Sequence, residues 1–171
     1  MGDDRHAKLP QVNPLALPTD GLIPSGNDSP MPRIIAIDYG LKRTGLAVTD
    51  PLQLIATGLG TVETQKLTVF LKEYCQKEEV EGFLVGEPRG LDDQDTHASE
   101  PVRKFLAWLK RHFPKIRIET IDERYTSRMA SRAMVDMGMK KKVRQKKGTI
   151  DEVAATMMLQ EWMDARPGTG K

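Results

Sequence analysis

The chain has 171 residues, of which 39% are hydrophobic and 29% charged, and its formal net charge is only +2. This length is enough for one hydrophobic core but short for two, and the near balance of charge excludes a uniformly basic surface. No apolar run in the sequence reaches the roughly 18 residues that a membrane-spanning helix needs, and no signal-peptide pattern opens it. We therefore expect a one-domain protein of the cytoplasm, without a membrane partner.

Proline dominates the first segment of the chain. Residues 1–30 scatter five prolines among small polar residues without helical or strand periodicity, which predicts a disordered leader or a vector-derived extension. The folded domain is expected to occupy residues 31–164, followed by a flexible tail at 165–171. The single cysteine, Cys75, cannot form an internal disulfide, and a half-buried, inert thiol is expected for it in a reducing compartment.

Hydrophobic periodicity predicts strands first and then alternating helices and strands. The predicted strands are residues 33–38, 43–50, 54–64, 81–88 and 115–123. The predicted helices are residues 66–79, 98–113, 126–138 and 148–164. The class is α/β, with a five-stranded mixed sheet made of an antiparallel three-strand meander plus two parallel strands, and with helices on both faces.

Capping residues mark the ends of the last two predicted helices. Thr126 or Ser127 is available as the N-cap of the first of them, and Gly138 is a stop signal. Thr149 and Glu152 have the spacing of a capping box at the start of the second. Glycines in the third strand predict a bend or a bulge.

An acid ends the first predicted strand. Asp38 follows an isoleucine-rich run, so a strand buried on both faces would deliver its carboxylate to the sheet edge where open α/β folds bind ligands. Gly40 and Gly45 allow a tight turn and close approach of a ligand, and Lys42 and Arg43 offer positive charge for a phosphate. A hairpin without chemistry explains these residues about equally well, so Asp38 needs partners.

Further acids stand at similar junctions. Glu123 and its neighbour Asp122 end the last strand, and alternation alone does not decide which of the two faces a site. Asp151 is expected in the first turn of the last helix, one turn before two small alanines that allow close packing, although acids are also enriched there to complement the helix dipole. Glu87 ends another strand and is a weaker candidate, because an exposed strand-end glutamate explains it equally well.

Carboxylates gathered at one place repel one another and raise one another's pKa values unless a cation lies among them. Hard oxygen ligands favour Mg²⁺ or Mn²⁺, and two such ions about 3.5 to 4 Å apart would support in-line hydrolysis of a phosphodiester. The three histidines show no ligand spacing, so histidine chemistry is not expected.

One dense basic run, "KKKVRQKK" at residues 140–147, lies close to Asp151 in sequence. A solvated loop is the commonest meaning of such a run, but this position favours contact with a phosphate backbone, which is salt-sensitive and largely independent of sequence. Phe105 and Trp108 have helical spacing and are expected in the core. The predicted nucleic-acid-binding residues are Lys42, Arg43, Arg89, Arg124, Lys140, Lys141, Lys142, Arg144, Lys146 and Lys147.

Four motifs in one order carry a family resemblance: "AIDYGLKRTGLAVTD", "LVGEPRG" with its following helix, "IDERYTS" and "KKKVRQKKGTIDEVAATMMLQ". Over about residues 31–164 the chain resembles the YqgF family of RNase H-like proteins, described as Holliday junction resolvases and as nucleases maturing the 5′ end of pre-16S ribosomal RNA. The resemblance implies an RNase H-like fold in which Asp38, Glu123 and Asp151 are the catalytic acids and hold a divalent metal.

The resemblance supports the reaction more firmly than the substrate. The first hypothesis is a metal-dependent endonuclease acting on structured RNA, with pre-16S ribosomal RNA as substrate. The second is a resolvase of branched DNA, which normally requires a symmetric dimer, so monomer and homodimer both stay open. The third is a nucleic-acid-binding module without catalysis. An Asp-x-Gly turn also opens sugar kinases and actin-like ATPases, but those folds need a second domain for which this chain is too short.

Overall fold

The structure, a computed structural model, describes residues 30–87, 99–122, 132–136, 138–144 and 147–166. The strands are Arg33–Asp38 (β1), Arg43–Thr49 (β2), Ala56–Glu63 (β3), Val80–Glu87 (β4) and Arg117–Asp122 (β5). The helices are Leu67–Lys77 (α1), Ser99–His112 (α2), residues 132–136 (α3), Lys141–Arg144 (α4) and Lys147–Asp164 (α5). A 3-10 turn, Thr64–Lys66, joins β3 to α1.

The five strands form one sheet in the order β3-β2-β1-β4-β5. β1, β2 and β3 pair as an antiparallel meander, while β4 lies parallel to β1 and β5 lies parallel to β4. The predicted five-stranded mixed sheet is therefore confirmed. Because β1, β4 and β5 run in the same direction, their last residues lie at one edge of the sheet, which we call the site edge. These residues are Asp38, Glu87 and Asp122.

The two faces of the sheet bury separate hydrophobic clusters. Ile35 and Ile37 of β1 face a cluster that includes residues of α1 and α2, whereas Ile34 and Ala36 face the apolar side of α5. This division follows from the alternation of side chains along a strand. Helices thus cover both faces, as predicted, and α5 is the helix that lies across the meander.

The predicted helix stop at Gly138 and the predicted loop of the basic run have different outcomes. The predicted stop at Gly138 is confirmed: its φ is +69°, its N–H donates to Val135 O (2.9 Å), and Met139 N–H donates to Met134 O (3.1 Å), the pattern of a Schellman motif. The predicted N-cap of that helix lies outside the described residues. Part of the basic run, expected as a loop, forms the short helix α4.

The predicted capping box at the start of the last helix is wrong. α5 begins at Lys147, so Thr149 lies inside the helix and cannot be its N-cap. Glu152, which would have turned back to the helix start, packs its carboxylate against the backbone of β3 at Gly58, where a Cβ would collide with it. Because the Glu152 side chain packs at Gly58, it is not available to cap the helix.

The third strand begins two residues later than predicted. The carboxylate of Asp50 accepts hydrogen bonds from Leu54 N (2.6 Å) and Ile55 N (2.7 Å), which holds these residues in a turn. The predicted bulge in β3 is present, since the β2–β3 register shifts next to Gly60, whose φ is +134°. None of the helices that the structure describes is long and apolar enough to cross a membrane.

Candidate active site

Asp38 lies at the end of β1, half-buried at the site edge, after four residues that are almost completely buried. In the register of the sheet, Asp38 pairs with Gly45 of β2, and Gly45 pairs with Thr61 of β3. These three residues form a row across the meander, which we call the acid row. A second carboxylate that binds the same ion as Asp38 must lie close to this row.

The start of α5 packs directly onto this row. A Cβ on Gly45 would collide with the backbone carbonyl of Asp151 and approach Glu152 N within 2.9 Å, so only glycine admits the helix at this depth. Ala154 and Ala155, one turn further on, are both buried, as their small size predicts. The structure therefore brings the segments that carry Asp38 and Asp151 together at one place.

Helix position also bears on why Asp151 is acidic. Because α5 begins at Lys147, Asp151 lies beyond the first turn, and that first turn contains no acid. The field of a helix dipole falls off within the first turn. Complementing the dipole is therefore a poor reason for an acid at this position.

Positive charge lies next to Asp151. Arg43 Nε is 3.5 Å from Asp151 Oδ2, and the two side chains are 41% and 29% exposed. An ion pair this open contributes only about 0 to 1 kcal/mol to stability. Its position is more informative than its strength, since Arg43 begins β2 and follows the turn that leaves Asp38. Lys42, in the same turn, is exposed.

The third predicted acid, Glu123, lies outside the described residues. It directly follows Asp122, whose backbone pairs with Glu87 at the site edge, but neither of those two side chains is described. Within the described parts of the chain, no three Asp, Glu, His or Cys side chains come together as a metal site. The structure thus supplies two acid-bearing segments, and β5 ends at the edge they occupy.

Only part of the predicted basic surface can be placed. Lys140, Lys141 and Lys142 are exposed at the start of α4, the short helix that precedes α5 and Asp151 in the chain. The remaining predicted cations lie outside the described residues or have undescribed side chains: Arg89, Arg124, Arg144, Lys146 and Lys147. The described cations therefore fall into two groups, the turn after Asp38 and the approach to α5.

Sequence reasoning missed three threonines beside the site. Thr64 Oγ1 donates to Gly40 O (2.6 Å) and lies 3.0 Å from Thr44 Oγ1, while Thr61 Oγ1 donates to Gly148 O (2.6 Å). Threonine is an ordinary strand residue, and all three lie in predicted strands, so the sequence gave no signal. Only the tertiary structure shows that these hydroxyls contact the acid-bearing segments.

Other titratable groups behave as structural residues. Burial raises the pKa of Cys75 to about 11, which agrees with the inert, half-buried thiol that was predicted. Burial likewise raises the pKa of the Tyr39 phenol and of the Glu152 carboxyl. Phe105 is buried in the core cluster, and Trp108 packs against that cluster, as their helical spacing predicted.

The family model described as RuvX, Holliday junction resolvase, matches residues 32–165. A protein of Flavobacterium psychrophilum named "Putative pre-16S rRNA nuclease" is 47% identical over 133 residues, which cover 78% of this chain and 97% of that protein. A protein of the same name from Christiangramia forsetii is 48% identical over 133 residues, covering 78% and 98%.

Among solved structures, T. thermophilus RuvC in complex with a Holliday junction substrate is similar, with a TM-score of 0.50. It is 16% identical in sequence, and the similarity covers 82% of this chain and 99% of RuvC. At this identity the likeness concerns the fold alone, and it confirms the predicted RNase H-like architecture.

Proposed function

Because the chain belongs to the RuvX Holliday junction resolvase family, the group that its motifs resemble under the name YqgF, we propose that it is a divalent-metal-dependent endonuclease maturing the 5′ end of pre-16S ribosomal RNA. The observation that carries the proposal is the packing of the Asp151 backbone on Gly45, the partner of Asp38. Relatives covered over nearly their whole length bear the name of this activity. A cytoplasmic location follows from a ribosomal substrate.

The residues present fit a hard divalent cation. The packing of α5 on Gly45 supports this, because it brings the segments that carry Asp38 and Asp151 to one edge. Arg43 Nε, 3.5 Å from Asp151 Oδ2, shows that this carboxylate pairs with a cation, and a bound metal ion would take the place of Arg43 there. Carboxylate oxygens suit Mg²⁺ or Mn²⁺ rather than softer ions. Asp38, Asp151 and, as the third ligand, Glu123 would hold the ion. When bound, such an ion activates a water and stabilises the leaving oxygen of the phosphodiester.

The protein's own part in the reaction is to bind and orient the nucleic acid. Lys42, in the turn after Asp38, and Arg43, at the start of β2, would contact phosphate oxygens next to the scissile bond. Lys140, Lys141 and Lys142 would contact the backbone further away. The remaining members of the predicted set, Arg89, Arg124, Arg144, Lys146 and Lys147, extend the same surface in this proposal. Contacts of this kind select for structured nucleic acid by shape and charge, not by base sequence.

The alternative substrate is a four-way DNA junction. It is favoured by the description of the matching family model as a Holliday junction resolvase. Resolution of a junction requires two cuts related by symmetry, so this activity would need a homodimer, whereas the maturation of one RNA end is compatible with a monomer. The two candidates thus differ in substrate and in assembly.

A cleavage assay separates them. Purified protein is given a pre-16S RNA fragment or a synthetic four-way junction, each with Mg²⁺, Mn²⁺ or EDTA, and Asp38→Asn is tested beside the wild type. We expect metal-dependent cleavage of the RNA that Asp38→Asn abolishes, because this change removes a ligand charge at nearly constant volume. Asp164→Asn at the other end of α5, about 20 Å from Asp151 by helix rise, is the matched control. Full activity in Asp38→Asn would eliminate the mechanism, and cleavage of the junction alone would favour the alternative.

A further inference from the structure

Two threonines, Thr61 in β3 and Thr64 at the start of the 3-10 turn that follows it, are bonded to the two acid-bearing segments. Thr61 Oγ1 donates to the carbonyl of Gly148, three residues before Asp151, at 2.6 Å. Thr64 Oγ1 donates to the carbonyl of Gly40, two residues after Asp38, also at 2.6 Å. The acids come from distant parts of the sequence, yet one short stretch of chain is bonded to the backbone beside each of them.

Thr64 donates two hydrogen bonds to the turn after Asp38. Besides its hydroxyl bond to Gly40, its backbone N–H donates to Lys42 O at 3.1 Å. Thr44 Oγ1, which is fully buried, lies 3.0 Å from Thr64 Oγ1. Since the single Thr64 hydroxyl proton goes to Gly40, the Thr44 hydroxyl is the donor in this pair. Hydrogen bonds from Thr64, and from Thr44 to Thr64, therefore fix the turn that carries Lys42 and leads into Arg43.

Thr61 fixes the start of α5 in the same way. It belongs to the acid row, where it pairs with Gly45, and its side chain lies against Gly148, at which a Cβ would stand 3.5 Å from Thr61 Cβ. The Thr61 hydroxyl therefore bonds the start of α5 to β3 one turn before Asp151.

From these contacts we propose that Thr61 and Thr64 are positioning residues with separate tasks. Thr61 sets the position of Asp151 and so governs affinity for the divalent ion. Thr64 sets the turn that carries Lys42 and leads into Arg43 and so governs affinity for nucleic acid, whereas Asp38 itself is held by its ladder pairing with Gly45. The inference rests on the proposed nuclease function. It adds to that function a division of labour between two uncharged side chains.

The test compares Thr61→Val with Thr64→Val in two binding measurements made apart from catalysis. Mn²⁺ affinity is measured by titration without nucleic acid, and the Kd of a pre-16S RNA fragment is measured in EDTA. Thr61→Val is expected to weaken Mn²⁺ binding by about tenfold, the usual effect of losing a residue that orients a ligand. Thr64→Val is expected to raise the RNA Kd about fivefold, the equivalent of one hydrogen bond. Thr61→Val should leave the RNA affinity, and Thr64→Val the Mn²⁺ affinity, within about twofold of the wild type.

Controls separate positioning from stability. Thr61→Ser and Thr64→Ser keep the hydroxyl and should restore both affinities. Thr49→Val removes a buried hydroxyl that accepts from Ile34 N (3.0 Å) at the opposite end of the sheet, and it should lower the melting temperature without changing either affinity. Thr44→Val, which removes only the donor behind Thr64, should give a smaller rise in RNA Kd and serves if Thr64→Val does not fold.

Three results overturn the inference. Valine variants that lose stability as Thr49→Val does but keep both affinities would show that the hydroxyls are only structural. Equal losses of both affinities in both variants would remove the division of labour. A wild-type protein that binds neither Mn²⁺ nor RNA would refute the proposed function itself, whereas a wild type that binds both confines the failure to the threonines.

Discussion

The backbone of Asp151 rests on Gly45, at a distance that no larger residue permits. Gly45 is the antiparallel partner of Asp38, so the same glycine that admits α5 also fixes which strand residue the helix meets. Two acid-bearing segments more than a hundred residues apart in sequence thereby meet at one edge of one sheet. The nature of the site depends on this packing more than on any single hydrogen bond.

Replacing that glycine provides the first prediction. Gly45→Ala should push α5 away from β2, with a loss of about 1 to 3 kcal/mol from overpacking and a loss of cleavage beyond what the lower stability explains. Thermal unfolding and RNA cleavage, both measured below the melting temperature, check this. Gly82→Ala in β4 is the matched control, because a Cβ there meets its nearest neighbour at an ordinary 3.6 Å. Equal behaviour of the two variants would contradict the packing argument.

The exposed lysines before α5 give a prediction about salt. Changing Lys140, Lys141 and Lys142 together to Gln should weaken RNA binding and reduce the magnitude of the slope of log K against log salt by about two to three units, since three phosphate contacts are lost. Mn²⁺ affinity should not change. Binding titrations at several salt concentrations measure the slope.

The same charge change elsewhere is the control for this prediction. Lys104, Lys110 and Lys115 are exposed on or just after α2, on the other face of the sheet from α5. Their triple replacement by Gln alters the net charge equally but should leave the salt slope close to that of the wild type. Identical slopes in both triple variants would mean that net charge, and not the lysines before α5, determines binding.

Cys75 supplies a prediction about pH. Its pKa is raised by burial from 9.0 to about 11, so at pH 8 the folded protein holds roughly a hundredfold less thiolate than an ordinary cysteine. Labelling by N-ethylmaleimide should be correspondingly slow in the native protein and fast in urea. Because the folded state disfavours the thiolate, Cys75 contributes stability below pH 9 that is lost as the pH rises toward 11. Equal labelling rates at pH 8 in native and unfolded protein would disprove the burial of this thiol.

Patterns of apolar residues predicted the strands and helices because these patterns reflect burial directly. The isoleucines of β1 alternate between two hydrophobic clusters, and Gly138 ends α3 in the left-handed conformation that favours glycine. The position of Asp38 at a strand end followed from the same reasoning. Sequence alone was thus sufficient where one local rule governs a residue.

Tertiary contacts account for what the sequence did not predict. Glu152 fits a capping box by spacing, but its side chain packs against Gly58 of a distant strand. This tertiary contact replaces the bond to the helix start that a capping box would make. Thr61 and Thr64 look like ordinary strand residues until the structure shows which carbonyls they bind. Placing Glu123 as the third ligand stays a prediction, since it lies outside the described residues.

We propose that Asp38 and Asp151 bind one divalent ion together at the site edge. Mn²⁺ is therefore titrated into the wild type, Asp38→Asn, Asp151→Asn and the double variant. We predict that each single variant loses tight Mn²⁺ binding and that the double variant is no weaker than either single one, because both side chains serve the same ion. Tight binding that survives either substitution, or losses that simply add in the double variant, would show that the two acids act separately.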